Sequence, residues 1–140
     1  MTEPMDKSLN YLALARKAGR VELGEEPVGA AARGEKAYLV IVAQDAGDHT
    51  WRRAKSFVSG TQQLAIRVPY TKDDLGKTIG RTALAMAAFT DPALALGFAQ
   101  ALPESCPEAV ETLQKQTDAL RQRRQEAKAH RKNVRKGRKS

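Results

Sequence analysis

Four short segments of the chain predict β-strands. AYLVIVA at 37–43, LAIRV at 64–68 and ALAMAAFT at 83–90 are apolar runs of strand length, and 21–23 is a shorter extended piece. Apolar runs without a polar alternation are typical of strands that are covered on both faces. The pattern therefore predicts a central sheet with helices packed on each side.

Polar caps and glycines predict helices before, between and after these strands. We expect helices from Ser8 to Ala18, from Glu25 to about Gly34, from Asp48 to about Ser59, from Thr71 to Ile79, and from Asp91 to about Leu102. Ser8 and Asp48 are the predicted caps of the first and third helices, Thr71 and Asp74 match a capping box, and a proline follows the cap Asp91. The alternation of helices and strands predicts an α/β fold with a largely parallel sheet.

The chain beyond Leu102 predicts a separate extension. Residues 1–102 form the predicted αβα domain, 103–107 a linker, and 108–140 an amphipathic helix that becomes basic. Val110, Leu113, Thr117 and Leu120 keep the 3-4-3 spacing of one helix face. Past about Lys132 nothing remains to be buried, which predicts a disordered end.

The net charge of +8 is concentrated in this extension. Up to Thr117 fourteen basic residues balance fourteen acidic ones, whereas from Asp118 onward ten basic residues face two acidic ones. Such a one-signed run without aromatic residues predicts binding to phosphates without readout of base sequence. The basic residues predicted to bind RNA here are Arg121, Arg123, Arg124, Lys128, Arg131, Lys132, Arg135 and Lys136.

Residue patterns that would support catalysis are missing from the sequence. GKT at 76–78 lacks a glycine five positions earlier, where Thr71 stands, and therefore does not match a phosphate-binding loop. The acidic pairs at 25–26 and 73–74 occupy first turns of predicted helices, where the helix dipole favours carboxylates. We expect no enzymatic activity.

The few cysteines and histidines predict neither a disulfide nor a metal site. Cys106 is the single cysteine, and neither His49 nor His130 has a partner at metal-ligand spacing. The sequence contains no apolar stretch near the ~20 residues of a membrane span, and its start lacks a secretory signal. We expect a cytoplasmic protein without a metal or cofactor.

Five short motifs follow one another in a fixed order between residues 8 and 102. They are Leu14–Gly19, Gly24–Glu26, Arg33-Gly34, Ala43–Asp45, and Leu75-Gly76 with Gly80. Together they resemble the kink-turn-binding ribosomal-protein family of the large subunit, the L-seven-Ae family, and in particular its bacterial YlxQ-like branch. The resemblance implies a three-layer α-β-α sandwich with a mixed, largely parallel four-stranded sheet, here followed by a basic helical tail.

The resemblance also implies that the start of the second helix contacts RNA. Family members approach sheared G·A pairs with an Asn-Glu pair and a Lys one turn later. Alignment on Arg33-Gly34 places Glu25, Glu26 and Gly29 at these positions. Because Glu25 has no amide donor and Gly29 has no cation, the departure predicts weakened or redirected kink-turn recognition.

We further expect a phosphate-contacting rim around the start of this helix, whose amides also favour anions; its members are Arg16, Lys17, Arg20, Lys36 and Arg81. The residues of the body predicted to bind RNA are Gly24, Glu25, Glu26, Arg16, Lys17, Arg20, Arg33, Lys36 and Arg81.

The sequence thus predicts a non-catalytic, ribosome-associated or ribosomal-protein-like RNA-binding protein. Its predicted partners are RNA, in particular ribosomal RNA, and the ribosome, but not a membrane. The alternative is a protein–protein interaction module that has lost kink-turn recognition. In that case Val110, Leu113 and Leu120 would dock a protein partner or a second copy.

Overall fold

A computed structural model describes the backbone of residues 6–138 and the side chains of residues 6–132. The elements are α1 (Lys7–Ala18), β1 (Val21–Leu23), α2 (Glu25–Arg33), β2 (Leu39–Val42), α3 (Asp48–Val58), β3 (Leu64–Arg67), α4 (Lys72–Thr78), β4 (Met86–Phe89), α5 (Pro92–Ala101) and α6 (Pro107–Arg138). The predicted alternation of helices and strands is confirmed.

The four strands form one mixed sheet in the order β1-β4-β2-β3. β2 and β3 are parallel, whereas β4 is antiparallel to both β1 and β2. The mixed sheet is confirmed, but the expectation of mainly parallel pairs is wrong, because β4 lies reversed between two strands that share a direction. The seven residues of α4 span only about 10 Å, and the loop that follows runs back along this helix to the edge where α4 begins. There the Leu84 amide donates to the Lys72 carbonyl at 2.9 Å.

Helices cover both faces of this sheet. α2 and α3 pack on one face, and α1, α4, α5 and the beginning of α6 pack on the other. Every residue of β2 and β4 is buried, and the Phe89 ring lies 5.0 Å from the Phe98 ring of α5, measured between centroids. The predicted three-layer α-β-α arrangement is confirmed.

Local polar contacts set the helix starts at α4 and α5 as the sequence predicts. The Thr71 hydroxyl accepts from the Asp74 amide at 3.1 Å, and the Asp74 carboxylate accepts from the Thr71 amide at 3.0 Å. At α5 the Asp91 carboxylate accepts from the Leu94 amide, also at 3.0 Å. Each bond satisfies a helix-end amide that lacks an intrahelical partner.

Two other caps differ from the prediction. Gly47, not Asp48, precedes α3, and Asp6, not Ser8, caps α1 and accepts from the Ser8 amide at 3.0 Å. The buried Ser8 hydroxyl contacts the Tyr70 hydroxyl and so ties α1 to the loop before α4. Burial opposes ionisation of Asp6, but hydrogen bonds from Ser8 and Tyr70 outweigh it and lower the pKa of Asp6. Burial raises the pKa of Tyr70 to about 12.

The chain after α5 continues as one long helix. The first turns of α6 pack on α5, and Ala109, Leu113 and Thr117 are buried there. The sequence predicts disorder past about Lys132, whereas the backbone of α6 is helical to Arg138; residues 139–140 lie outside the described part. Within residues 6–138, none of the helices has the length and apolar character needed to cross a membrane.

Candidate nucleic-acid interface

The candidate residues lie at two opposite edges of the sheet. At the first, which we call the α2 edge, β1, β2 and β3 end and β4 begins, and α2, α3 and α4 start. At the second, which we call the α6 edge, these three strands begin and β4 ends. The ends of α1 and α2 lie at this second edge.

Gly24 places the first turn of α2 at the α2 edge. Its φ of 98° lies in the region that favours glycine, and its amide donates to the Met86 carbonyl of β4 at 2.9 Å. Its carbonyl accepts from the Val28 amide at 3.0 Å and begins the helix. Glu26 is exposed on this first turn, and Glu25 is partly exposed. The structure therefore brings Gly24, Glu25 and Glu26 together at one edge.

Gly29 makes room for a side chain of the neighbouring helix. Gly29 is buried, and a Cβ there would lie 3.0 Å from Cζ and 3.1 Å from Cε1 of Phe57 in α3. Such distances are tighter than ordinary carbon contacts of about 3.5–4.0 Å. A lysine at this position would therefore require the Phe57 ring to shift by a few tenths of an ångström.

Arg53 of α3 brings a different cation to the start of α2. Its guanidinium forms an ion pair with the Glu25 carboxylate and stacks over the Phe57 ring, with Cζ 5.2 Å from the ring centroid. The Arg53 side chain remains 50% exposed, so it can still reach a phosphate. The pairing also offsets the negative charge that Glu25 brings to this edge.

Sequence reasoning missed Arg53 and Phe57 because the resemblance points only to α2. Two signals were present in the sequence. Gly29 interrupts a short helix, which often marks a close approach, and Arg53 and Phe57 are four residues apart on one face of α3. What the sequence could not supply was the pairing of α2 with α3.

Arg81 lies in the loop that enters β4 at the same α2 edge. The loop folds tightly onto α4, since the Gly76 carbonyl accepts from the Arg81 amide at 2.8 Å. A Cβ on Gly76 would lie 2.7 Å from Cα of Ala83 and 2.9 Å from the Arg81 carbonyl oxygen. Glycine at position 76 is therefore what allows this loop path.

We expect Gly76→Ala to lower the free energy of unfolding by about 1–3 kcal/mol, because the added methyl group meets backbone that cannot move without shifting the loop. Chemical denaturation measures the change. Gly34→Ala is the matched control, because a Cβ there meets its nearest atom at an ordinary 3.6 Å. Equal effects of the two substitutions would contradict the explanation.

The predicted basic rim around the start of α2 is largely wrong. Four of its five members lie at the α6 edge, separated from Gly24 by the length of α2, about 13 Å. They are Arg16 and Lys17 at the end of α1, Arg20 before β1, and Lys36 before β2; Arg33, predicted to bind RNA as a motif residue, lies there too, at the end of α2. Sequence motifs fix which residues surround a helix but not which end of it they face.

Helix α6 also leaves the body at the α6 edge. Its path follows β3 in reverse, from a cavity shared by Cys106 and Ile66 to a hydrogen bond from the Gln116 amide group to the Gln62 carbonyl at 3.3 Å. Beyond it, Arg121, Arg123, Arg124, Lys128, Arg131 and Lys132 are all exposed. Arg135 and Lys136 lie in the helical backbone, but their side chains are outside the described part.

The apolar face predicted for a protein partner is partly covered by the chain itself. Leu113 is fully buried, and Val110 packs against the same core, while Leu120 lines a small cavity beside Asp91. Leu113 is therefore not available to a partner, because it attaches α6 to the body, whereas docking or self-association through the partly exposed Val110 and Leu120 stays a prediction.

Groups of potential metal ligands do not occur among residues 6–132: three or more His, Cys, Asp or Glu side chains nowhere converge there. Cys106 is half-buried, with its sulfur 3.8 Å from the Glu104 carbonyl. The exposed groups at both edges are instead suited to ionic and hydrogen-bonding contacts.

Comparison with protein-family models gives no match. An RNA-binding protein YlxQ from Enterococcus faecium is 43% identical over 49 residues, which are 35% of this chain and 48% of that protein. The chain thus spans about half the length of this curated relative.

Two solved structures share the fold. A protein of unknown function from Bacillus halodurans C superposes with a TM-score of 0.66 at 28% identity, over 71% of this chain and 100% of that one. The 15.5 kD RNA binding protein of Giardia lamblia superposes with a TM-score of 0.59 at 20% identity, over 76% of this chain and 87% of that one. The α-β-α body, with its mixed four-stranded sheet, is thus a fold that an RNA-binding protein also has.

Proposed function

We propose that this chain is a non-catalytic, ribosome-associated or ribosomal-protein-like RNA-binding protein that binds structured RNA at the α2 edge, and a kink-turn of ribosomal RNA is the candidate that the resemblance supplies for the test. In this proposal α6 adds phosphate contacts of its own. The observation that carries the proposal is the exposed second half of α6. From Arg121 to Lys132 six basic residues face one acidic residue, Glu126, and every side chain is exposed. Since the fold does not neutralise these charges, a polyanionic partner is expected.

The comparisons and the α2 edge supply the rest of the argument. The YlxQ relative and one protein with the same fold are both named for RNA binding. Glu26 matches the acidic residue of the L-seven-Ae family and is exposed on the first turn of α2. Arg53 and Arg81 are exposed cations at the same edge, where the helix dipole also favours a phosphate.

The direct test measures the affinity of the full-length chain for a ribosomal kink-turn RNA and for a plain duplex of equal length. We expect tighter binding to the kink-turn RNA. With about eight phosphates contacted, log K should fall with log salt at a slope near −6 to −7. A flat salt response would contradict phosphate binding. Equal affinity for the two RNAs would contradict recognition of the kink-turn.

Replacing Arg53 by glutamine tests whether this residue supplies the missing cation. We expect affinity for the kink-turn RNA to fall about tenfold and the salt slope to become less steep by about 1, as for one lost phosphate contact. Arg52→Gln is the control, because Arg52 is an equally charged, exposed neighbour outside the Glu25 and Phe57 contacts. Equal losses in both variants would assign the effect to net charge alone.

A further inference from the structure

We propose that the α6 edge is a second RNA-binding surface, which holds the phosphate backbone of an RNA duplex while the α2 edge holds another RNA segment. This inference rests on the proposed function. It adds that one chain joins two RNA segments at opposite ends of its body.

The basic residues of the body and those of α6 meet around the turn from β4 to α5. The Thr90 amide donates to the Arg20 carbonyl at 2.9 Å, and Thr90 and Lys36 line one cavity of about 370 Å³. The next residue, Asp91, lines a cavity of about 40 Å³ together with Arg121 and Arg124. Arg20, Lys36, Arg121 and Arg124 thus surround one short stretch of chain.

Helix α6 carries this surface away from the body. Arg121, Arg124, Lys128, Arg131 and Lys132 follow one another at intervals of three, four, three and one residues. At about 100° per residue they fall within an arc of about 100°, and Glu126 lies on the opposite side. We call these five residues the basic stripe of α6. Arg121 and Arg124 face the start of α5, so the basic stripe begins beside the body and extends along α6 for about 16 Å.

Helix dipoles explain only part of this charge. Basic residues in the last turns of α1 and α2 are favoured by the negative helix ends. Arg20 and Lys36 lie beyond those ends, and the basic stripe lies in the middle of a long helix. The helix dipole therefore does not explain why these positions are basic, and this favours a role for them in binding an anionic ligand.

The two edges differ in the charge that they present. The α2 edge carries six acidic residues, Glu25, Glu26, Asp45, Asp48, Asp73 and Asp74, beside the basic residues Arg53, Arg67, Lys72 and Arg81. The α6 edge carries Arg16, Lys17, Arg20, Arg33, Lys36, Lys55, Arg121, Arg123 and Arg124, with Glu22, Glu35, Asp91 and Asp118 nearby. A plain duplex, which offers mainly phosphates and 2′-hydroxyls, is therefore favoured at the α6 edge, whereas the α2 edge requires a specific local shape.

The experiment asks whether one chain holds two RNAs at once. A kink-turn RNA is fixed to a surface and saturated with the full-length chain, and a labelled plain duplex of about 16 base pairs is then added. We expect about one duplex captured per bound chain, with capture lost as salt increases. Mutual displacement of the two RNAs, or a kink-turn complex that captures no duplex, would overturn the second surface alone. A chain that fails to bind the kink-turn RNA would overturn the proposed function, and the two-segment inference with it.

A triple variant, R16Q/R20Q/K36Q, tests whether the body contributes to the second surface. It leaves α6 intact, and we expect duplex capture to weaken at least about tenfold while the kink-turn RNA remains bound. The control K7Q/K72Q/K77Q removes the same charge from exposed lysines away from the α6 edge and should leave capture unchanged. Equal weakening by both triple variants would show a general charge effect and overturn the proposal.

Discussion

Replacing six basic residues of α6 by glutamine is expected to lower the affinity of the full-length chain for ribosomal RNA at least about a hundredfold near 0.1 M salt. The residues are Arg121, Arg123, Arg124, Lys128, Arg131 and Lys132. Each phosphate contact releases counterions, so losing six should make the log–log salt slope less steep by about 4 to 5. Binding titrations at several salt concentrations measure both quantities.

Glutamine is the substitution of choice because its helix propensity is close to that of arginine and lysine. Circular dichroism should therefore report an unchanged helix content. A matched variant with lysine at the four arginine positions keeps the charge and should keep the salt slope. If the glutamine variant binds with the original slope, the basic stripe does not contact phosphates, and RNA binding must come from the two edges of the body.

The helices and strands were predictable because their signals are local. The capping box of Thr71 and Asp74 and the cap at Asp91 depend on bonds that span three residues. The apolar runs that became β2 and β4 are buried on both faces for the reason that the pattern suggests. Local signals of this kind predict helices and strands without knowledge of the tertiary fold.

The direction of β4 was not predictable from the same signals. Alternation of helices and strands favours parallel neighbours only when each helix carries the chain back to the opposite edge. Here the chain instead folds back beside α4, where Gly76 leaves room for it. Since this fold-back depends on contact between Gly76 and Ala83, only the three-dimensional packing reveals it.

The residues of the candidate site also fall into two groups, those that a local motif predicts and those whose position depends on tertiary packing. A motif within α2 was enough to predict that Gly24 and Glu26 lie together, because motif residues that share one turn stay together in space. Arg20 and Lys36 were placed at the wrong edge, because they flank α1 and α2 on the side where these helices end. A sequence motif does not show whether two residues lie at the same end of a helix or at opposite ends. In the proposed function this separation decides which RNA segment a basic residue can reach.

The second large effect is expected from Leu113→Ala in α6. Leu113 is fully buried between α6 and the body, so its truncation should lower the free energy of unfolding by about 2–5 kcal/mol. Chemical denaturation of the chain without RNA measures the change. Leu14→Ala is the control, because Leu14 is 51% exposed, and we expect it to cost less than about 0.5 kcal/mol.

The result separates two roles for the apolar face of α6. A leucine kept for a protein partner would contribute little to the isolated chain, and a loss below about 0.5 kcal/mol would therefore contradict the internal role. A large loss has a further consequence for RNA binding. Because Leu113 attaches α6 beside α5, it also fixes the direction in which Arg121 and Arg124 face, so loosening this contact should weaken duplex capture without removing a single charge.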